Sequence, residues 1–292
     1  MKEGKFIEIE LPKDYDFLLR RAEKEIDSNL TGKPKAKKMW KLVDEDSEVN
    51  ADWDMANYIA VKKLHYNDHG ETHVKIAAMN ALKMLSILLK RNILPDMLRD
   101  RGGDVDDEYL VVLSAALLHD IGNQIYRAEH NLHSAYLAIP VLNRLLPQIY
   151  ENVEHWVELR GFILNAIFTH DAEVRDLTFE GALVGIADGT DMTKGRGRTP
   201  FEMGDANIHS ISALSIDDVK IFEGDKKPIR IEIVMSNSAG IFQVQQVLGE
   251  KIRGSPMEDC VEIVAYTLPE KPKVDRRIIS RIRFERGKYL VE

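Results

Sequence analysis

The spacing of hydrophobic and polar residues follows two different patterns along this chain. Over roughly the first two hundred residues apolar positions recur at helical spacing, whereas after Ile211 they follow strand patterns. The N-terminal part predicts a short strand, IEIEL, and then a helix that begins at Pro12. The basic segment TGKPKAKK is predicted as a connector, and another helix is predicted from Ala51 to near His65.

Buried helices dominate the middle of the sequence. THVKIAAMNALKMLSILLKRN is apolar on nearly all sides, and EYLVVLSAALLHDIG is more apolar still, with Gly122 as its predicted C-terminal stop. Three more helices are predicted. The first begins at about Ala128, and Pro140 is expected to kink or break it. The second runs from about Asn152 to His170, and the third covers EGALVGIADGTD, before the loop TKGRGRTP.

Strands are predicted in the last part of the chain. SIDDVKIF, PIRIEIVMS, CVEIVAYT and IISRIRF alternate or concentrate apolar residues, and a helix from about Gly240 to Ile252 separates the second strand from the third. This ββαββ order predicts an α+β fold class. The expected organisation is a mostly helical N-terminal extension over 1–60 that packs on a helical domain over 61–210, followed by an accessory module over 211–292.

Composition narrows the classes of partner. The net charge of −8 argues against binding of extended nucleic acid, although a small phosphorylated ligand needs only a local basic cluster. One cysteine, Cys260, permits no intrachain disulfide and fits a reducing cytoplasm. The sequence shows no signal peptide and no uninterrupted apolar run near the ~20 residues of a membrane helix, so a cytoplasmic protein without membrane association is expected.

The candidate chemistry begins with the dipeptide His119-Asp120 at the end of an apolar helix. Taken alone, it is compatible with an ordinary N–H to carboxylate pair at a helix end. Each neighbouring helix, however, also brings a histidine or aspartate to an otherwise apolar position, and buried charges are costly unless a cation compensates them. These further positions are His73, His130, His170 and Asp188.

This order of motifs resembles the HD superfamily of metal-dependent phosphohydrolases over roughly Lys62 to Arg198. The matching stretches are THV at Thr72 to Val74, AALLHDIG from Ala115 and GIADGTD from Gly185. The resemblance implies a predominantly α-helical HD-type domain over 61–210. It also implies a core metal site formed by His73, His119, Asp120 and Asp188.

Some members of that superfamily hold a second metal ion with further histidines. His130 and His170 are at similar positions, although this chain has Thr169-His170-Asp171 where some dinuclear members have adjacent histidines. One or two divalent ions are therefore expected. A mixed set of nitrogen and oxygen ligands favours Mn, Fe, Co or Ni over a closed tetrahedral Zn site.

Residues next to these ligands are candidates for catalysis. Gly70 is predicted to begin a helix, which leaves His69 in the preceding loop as a contact to substrate or to a ligand; the alternative is a chelating pair with His73, four residues on. Asp120 itself and Asp191 are expected to orient a ligand or the attacking water. Asp68 is a further candidate for that role.

Basic residues close to the ligands are candidates for binding phosphate. They are Arg127, one helical turn before His130, and Lys194, Arg196 and Arg198 in the loop after Asp188. The alternative for the loop is ordinary solvated charge.

The expected activity is metal-dependent hydrolysis of a phosphate ester or anhydride, with a nucleotide or related small phosphorylated molecule as substrate. Two other functions use the same residues: a diiron HD-fold oxygenase, and a regulatory module that senses a nucleotide without hydrolysing it. One face of the predicted sheet in the accessory module has to be covered, and this would favour a homo-oligomer formed through that module.

Overall fold

The computed structural model describes residues 15–193, 212–267, 282–285 and 288–291. Eight long α-helices make up most of the first of these ranges, in agreement with the helical periodicity of the sequence. The predicted N-terminal strand IEIEL lies outside the described residues. The helices are α1 (Tyr15–Asn29), α2 (Pro34–Asp44), α3 (Ser47–Asn57), α4 (Glu71–Lys90), α5 (Val105–Leu118), α6 (His130–Leu145), α7 (Val153–Thr169) and α8 (Phe179–Thr190).

Helices α4 and α5 form the centre of the helical part. Every residue of α5 from Asp107 to Leu118 is buried, as its nearly continuous apolar sequence predicts. Helix α4 packs against α1, α5 and α8. By length and composition α4 is also apolar enough to cross a membrane, but 67% of the relevant window is buried inside the protein.

A buried lysine connects the N-terminal helices to this centre. Lys75 of α4 is 1% exposed, and its Nζ lies 2.8 Å from Glu23 Oε1 of α1 and 2.7 Å from Asp44 Oδ1 of α2. The same ammonium lies 5.3 Å and 5.9 Å from the ring centroids of Trp40 and Trp53. A buried charge is tolerated when carboxylates and aromatic faces surround it, so this lysine ties α1, α2 and α3 to the core.

Two local predictions in the helical part are wrong. TGKPKAKK is not a connector throughout, because α2 begins at Pro34, where proline's fixed φ and missing N–H suit the first turn of a helix. Gly122 is not the stop of α5, which ends at Leu118, and Gly122 lacks the positive φ of such a stop. It instead allows close packing, since a Cβ there would lie 2.1 Å from the carbonyl oxygen of His130. Pro140 lies within α6 and does not end it.

The C-terminal part contains a sheet and a separate hairpin. Strands β1 (Ile216–Glu223) and β2 (Ile229–Met235) pair antiparallel, and β2 pairs parallel with β3 (Val261–Thr267). The crossover to β3 contains a helix, here called the C-terminal helix, made of a π-helical segment, Gln243–Gly249, and an α-helical turn, Glu250–Ile252. These elements confirm a mostly helical α+β fold with a small sheet.

The position of the last predicted strand differs from the expected four-stranded sheet. Within the described residues, β4 (Ile282–Glu285) pairs antiparallel with β5 (Lys288–Val291) and not with the three-stranded sheet. Strand β5 was not predicted. Only two residues separate β4 from β5, so these short strands can pair with each other, and the strand pattern of IISRIRF did not require a place in the main sheet.

We expect Gly122→Ala to destabilise the protein by at least about 2 kcal/mol, because the new Cβ meets backbone atoms that cannot rotate away. Gly161→Ala is the matched control: Gly161 is exposed in α7 with nothing within 4 Å of an added Cβ. That change should stabilise the protein by about 0.5 to 1 kcal/mol through helix propensity. Urea unfolding of both variants measures the difference, and equal stabilities would contradict the close packing at Gly122.

Candidate metal centre

The six predicted metal ligands converge at one place, and all of them lie at or near helix ends. His73 is in the first turn of α4, and His130 is the first residue of α6. The others lie at C-terminal ends: His119 and Asp120 directly follow α5, His170 directly follows α7, and Asp188 is in the last turn of α8.

Four of these side chains form one group. His73 Nε2 lies 3.1 Å from Asp188 Oδ1 and 3.3 Å from Asp120 Oδ2. His119 Nε2 lies 3.5 Å from Asp120 Oδ2 and 3.9 Å from Asp188 Oδ1. Two histidine nitrogens and two carboxylate oxygens therefore lie at distances at which they could act as ligands of one metal ion.

The remaining two histidines form a second group around the same aspartate. His130 Nε2 and His170 Nε2 are 3.1 Å apart. Asp120 Oδ1 lies 3.4 Å from the first and 3.8 Å from the second. Asp120 thus directs one oxygen to each group, which is the arrangement of a bridging carboxylate.

Hydrogen bonds at the outer ring nitrogens fix the orientation of these histidines. Nδ1 of His119 and of His170 each donates to a backbone carbonyl three residues earlier, at 2.7 and 2.6 Å. His73 Nδ1 donates to Asp191 Oδ2 at 2.7 Å. Because these protons occupy Nδ1, the neutral rings present the lone pairs of their Nε2 atoms to the cluster, as metal-binding histidines do.

The buried donor atoms of the cluster are suited to a positively charged ligand. His119 Nε2 and Asp120 Oδ2 are buried and have no hydrogen-bond partner among the described residues. Burial lowers the pKa of His119. Burial and the nearby Arg127 charge together lower the pKa of His130 to about 3, so neutral pH leaves these rings uncharged. Burial would raise the pKa of Asp120, but neighbouring histidines, His119 first, hold it well below its usual value. Buried lone pairs and a carboxylate therefore fit a divalent cation.

The backbone before His130 supports the precise position of that ring. Glu129 has a φ of 57°, in the left-handed region that non-glycine residues rarely adopt. A conformation of this kind persists only where surrounding structure enforces it, and it is common at functional sites. Glu129 directly precedes α6, so this conformation places His130, the first residue of that helix, at the cluster.

A cavity of about 360 Å³ opens over the cluster. Its floor includes Asp120, His130, His170 and Asp188. Its walls carry polar side chains from the turn before α4, from the segments after α5, α7 and α8, and from the C-terminal helix. They include His65, Tyr66, His69, Arg127, Gln243, Gln246 and Lys251.

One of the predicted phosphate-binding residues lies at this cavity. Arg127 donates from Nη1 to Asn123 Oδ1 at 3.2 Å, and its guanidinium lies 5.9 Å from the ring centroid of Tyr66. Asn123 in turn donates from Nδ2 to Asp120 Oδ1 at 2.9 Å, so Arg127 is linked to the bridging aspartate. The other three predictions, Lys194, Arg196 and Arg198, lie outside the described residues.

The predicted catalytic neighbours are also at the site. His69 lies in the loop before α4 as predicted, although the helix begins at Glu71, one residue after the predicted Gly70, and its ring centroid is 5.7 Å from that of His73. His69 Nδ1 donates to the Asn67 carbonyl at 2.5 Å, and the residue lines the cavity without joining either group of candidate ligands. Asp191 is placed to orient His73. Roles for these residues in catalysis stay predictions.

Sequence reasoning missed the contribution of the C-terminal helix. Lys251 Nζ donates to Asp188 Oδ2 at 2.8 Å and to the His170 carbonyl at 2.6 Å. Every site residue had been predicted before residue 210. The sequence signal for this contribution is that Gln243, Gln246 and Lys251 fall within one predicted helix at spacings of three and five residues. That pattern does not by itself indicate a site.

Comparison with known proteins identifies a relative but no activity. No protein-family model matches the chain, and no solved structure matches it. The uncharacterized protein MJ1020 of Methanocaldococcus jannaschii is 46% identical over 228 residues, which cover 78% of this chain and 88% of the relative. At this identity and coverage, the chain belongs to the same protein family as MJ1020.

Proposed function

We propose that this protein is a metal-dependent phosphohydrolase of the HD type that acts on a phosphate ester or anhydride of a small molecule, with a nucleotide as the expected substrate. The observation that carries the proposal is Asp120. It follows His119 at the end of an apolar helix and directs one oxygen to each of two histidine-containing groups.

The chain order of the ligands supports the HD assignment. His73, His119-Asp120 and Asp188 have the order of the HD motif, and the fold places each of the two histidines within 3.9 Å of both aspartates. The second group, His130 and His170 with Asp120, supports a dinuclear site. Nitrogen and carboxylate donors together suit Mn, Fe, Co or Ni better than Zn.

Divalent cations bound here would supply a Lewis acid that activates water and neutralises charge on phosphoryl oxygens. The protein's own side chains do the positioning. Asp191 holds His73 with Nε2 inward, and Asn123 holds Asp120 Oδ1. Arg127 brings a positive charge to the cavity wall, and His69, whose Nδ1–H donates to the Asn67 carbonyl, lines the cavity as a candidate to transfer a proton to a leaving group.

Metal stoichiometry is the first test of this proposal. The purified parent should bind two transition-metal ions per chain, and the double variant His130→Ala/His170→Ala should bind one, since His73, His119, Asp120 and Asp188 remain. Elemental analysis after dialysis measures both. His155→Ala is the control, because His155 lies at the opposite end of α7 from His170 and should leave the metal content unchanged.

A double variant that binds as much metal as the parent would show that His130 and His170 are not ligands. A parent that binds no metal, in purification and on titration, would remove the basis of the proposed activity.

Loss of activity is the second test. A screen of nucleotides and phosphate esters with each divalent metal should find a hydrolysed substrate. His119→Ala and Asp120→Asn should each lower kcat/KM by more than about a hundredfold, since loss of an outer partner of a metal ligand alone costs about 10- to 100-fold. His155→Ala should retain parent turnover, and circular dichroism should show an unchanged helical content in all three variants.

The same preparations separate the rival functions. Iron uptake with O₂ consumption and no phosphate release would favour the oxygenase. A nucleotide that binds tightly and is recovered intact with every metal would favour the sensor.

A further inference from the structure

The C-terminal helix is packed directly on α8, beside Asp188. A Cβ on Gly189 would lie 3.1 Å from Lys251 Cδ and 3.3 Å from Leu248 Cδ1, so a glycine gives the room for this close approach. Leu248 is fully buried, and Ile252 is 8% exposed. The contact is therefore a packed interface that fixes the position of Lys251.

Lys251 is held at the rim of the metal cluster by two acceptors. Its side chain is 10% exposed, and its ammonium donates to Asp188 Oδ2 and to the His170 carbonyl. Asp188 keeps its other oxygen, Oδ1, for His73 Nε2. A lysine ammonium has three N–H donors, and these two acceptors in the described chain use two of them. The third N–H is on the same ammonium group, and Lys251 lines the cavity.

The cavity needs positive charge at this point if an anion is to enter. Asp120, Asp171, Asp188 and Asp191 all line it. Among its described lining residues, the lysine and arginine side chains are Arg127 and Lys251, on walls that come from different parts of the chain. Gln246, five residues before Lys251 in the C-terminal helix, also lines the cavity.

We infer that Lys251 binds an anionic oxygen of the substrate's phosphoryl group, so that the C-terminal part of the chain supplies a substrate-binding residue to the metal site. This inference rests on the proposed function and adds to it a residue that, together with Arg127, recognises the phosphoryl group. Two hydrogen bonds hold the ammonium in place before the anion arrives, and little side-chain freedom is lost on binding.

The test compares Lys251→Met with Arg253→Met in the full chain loaded with Mn²⁺, using inorganic phosphate as the probe. Arg253 is the matched control, because it lies two residues away, is 68% exposed and pairs with Glu250 rather than with the cluster. Calorimetric titration should show phosphate binding at least about tenfold weaker in Lys251→Met, the loss of one charge-assisted hydrogen bond, and less than about twofold weaker in Arg253→Met. The Mn²⁺ content should match the parent in both.

Two outcomes would overturn the inference. Parent-like phosphate affinity in Lys251→Met would show that the ammonium does not contact the anion, and loss of Mn²⁺ from a folded Lys251→Met protein would show that it only positions Asp188. Lys251→Gln gives the same comparison if the methionine variant unfolds. A parent that takes up Mn²⁺ and phosphate but hydrolyses no phosphate compound would contradict the proposed function alone.

Discussion

The helical part of this protein is organised around an excess of buried electron-pair donors at one point. Three helices, α5, α7 and α8, end there, and the partial negative charge of a helix C-terminus adds to the charge of Asp120 and Asp188. Histidine nitrogens whose protons are committed to outer acceptors contribute lone pairs and no charge. A divalent cation that these donors could hold would neutralise this negative potential and favour the packing of the helices that produce it.

Much of this part of the molecule could be predicted from local sequence. Helices α4 and α5 are buried on nearly all sides, so their apolar composition identified them. His73, His119, Asp120 and Asp188 could be proposed as candidate ligands because each lies in or next to an apolar helix near its end, and their selection as the core set followed from the resemblance to the HD superfamily. The convergence of these residues then follows from packing, since the polar ends of buried helices can be satisfied only together.

The remaining features depend on contacts between distant parts of the chain. Lys251 reaches Asp188 across 63 residues, and no spacing rule connects a lysine in a later helix to an aspartate in an earlier one. Gly122 was misassigned for a similar reason: its role is set by the backbone of α6, which approaches it in space, and not by the helix before it. The pairing of β4 with β5 also depended on a local hairpin that a strand pattern alone does not distinguish from membership of a larger sheet.

The contact between Lys251 and Asp188 also determines when the site is completed during synthesis. The metal ligands span His73 to Asp188, and the lysine that contacts the last of them is made 63 residues later. A ribosome that adds about 5 to 20 residues per second needs several seconds to traverse that interval. In that interval the candidate ligands precede the residue that contacts Asp188, so Lys251 is the last residue of the described site to be synthesised.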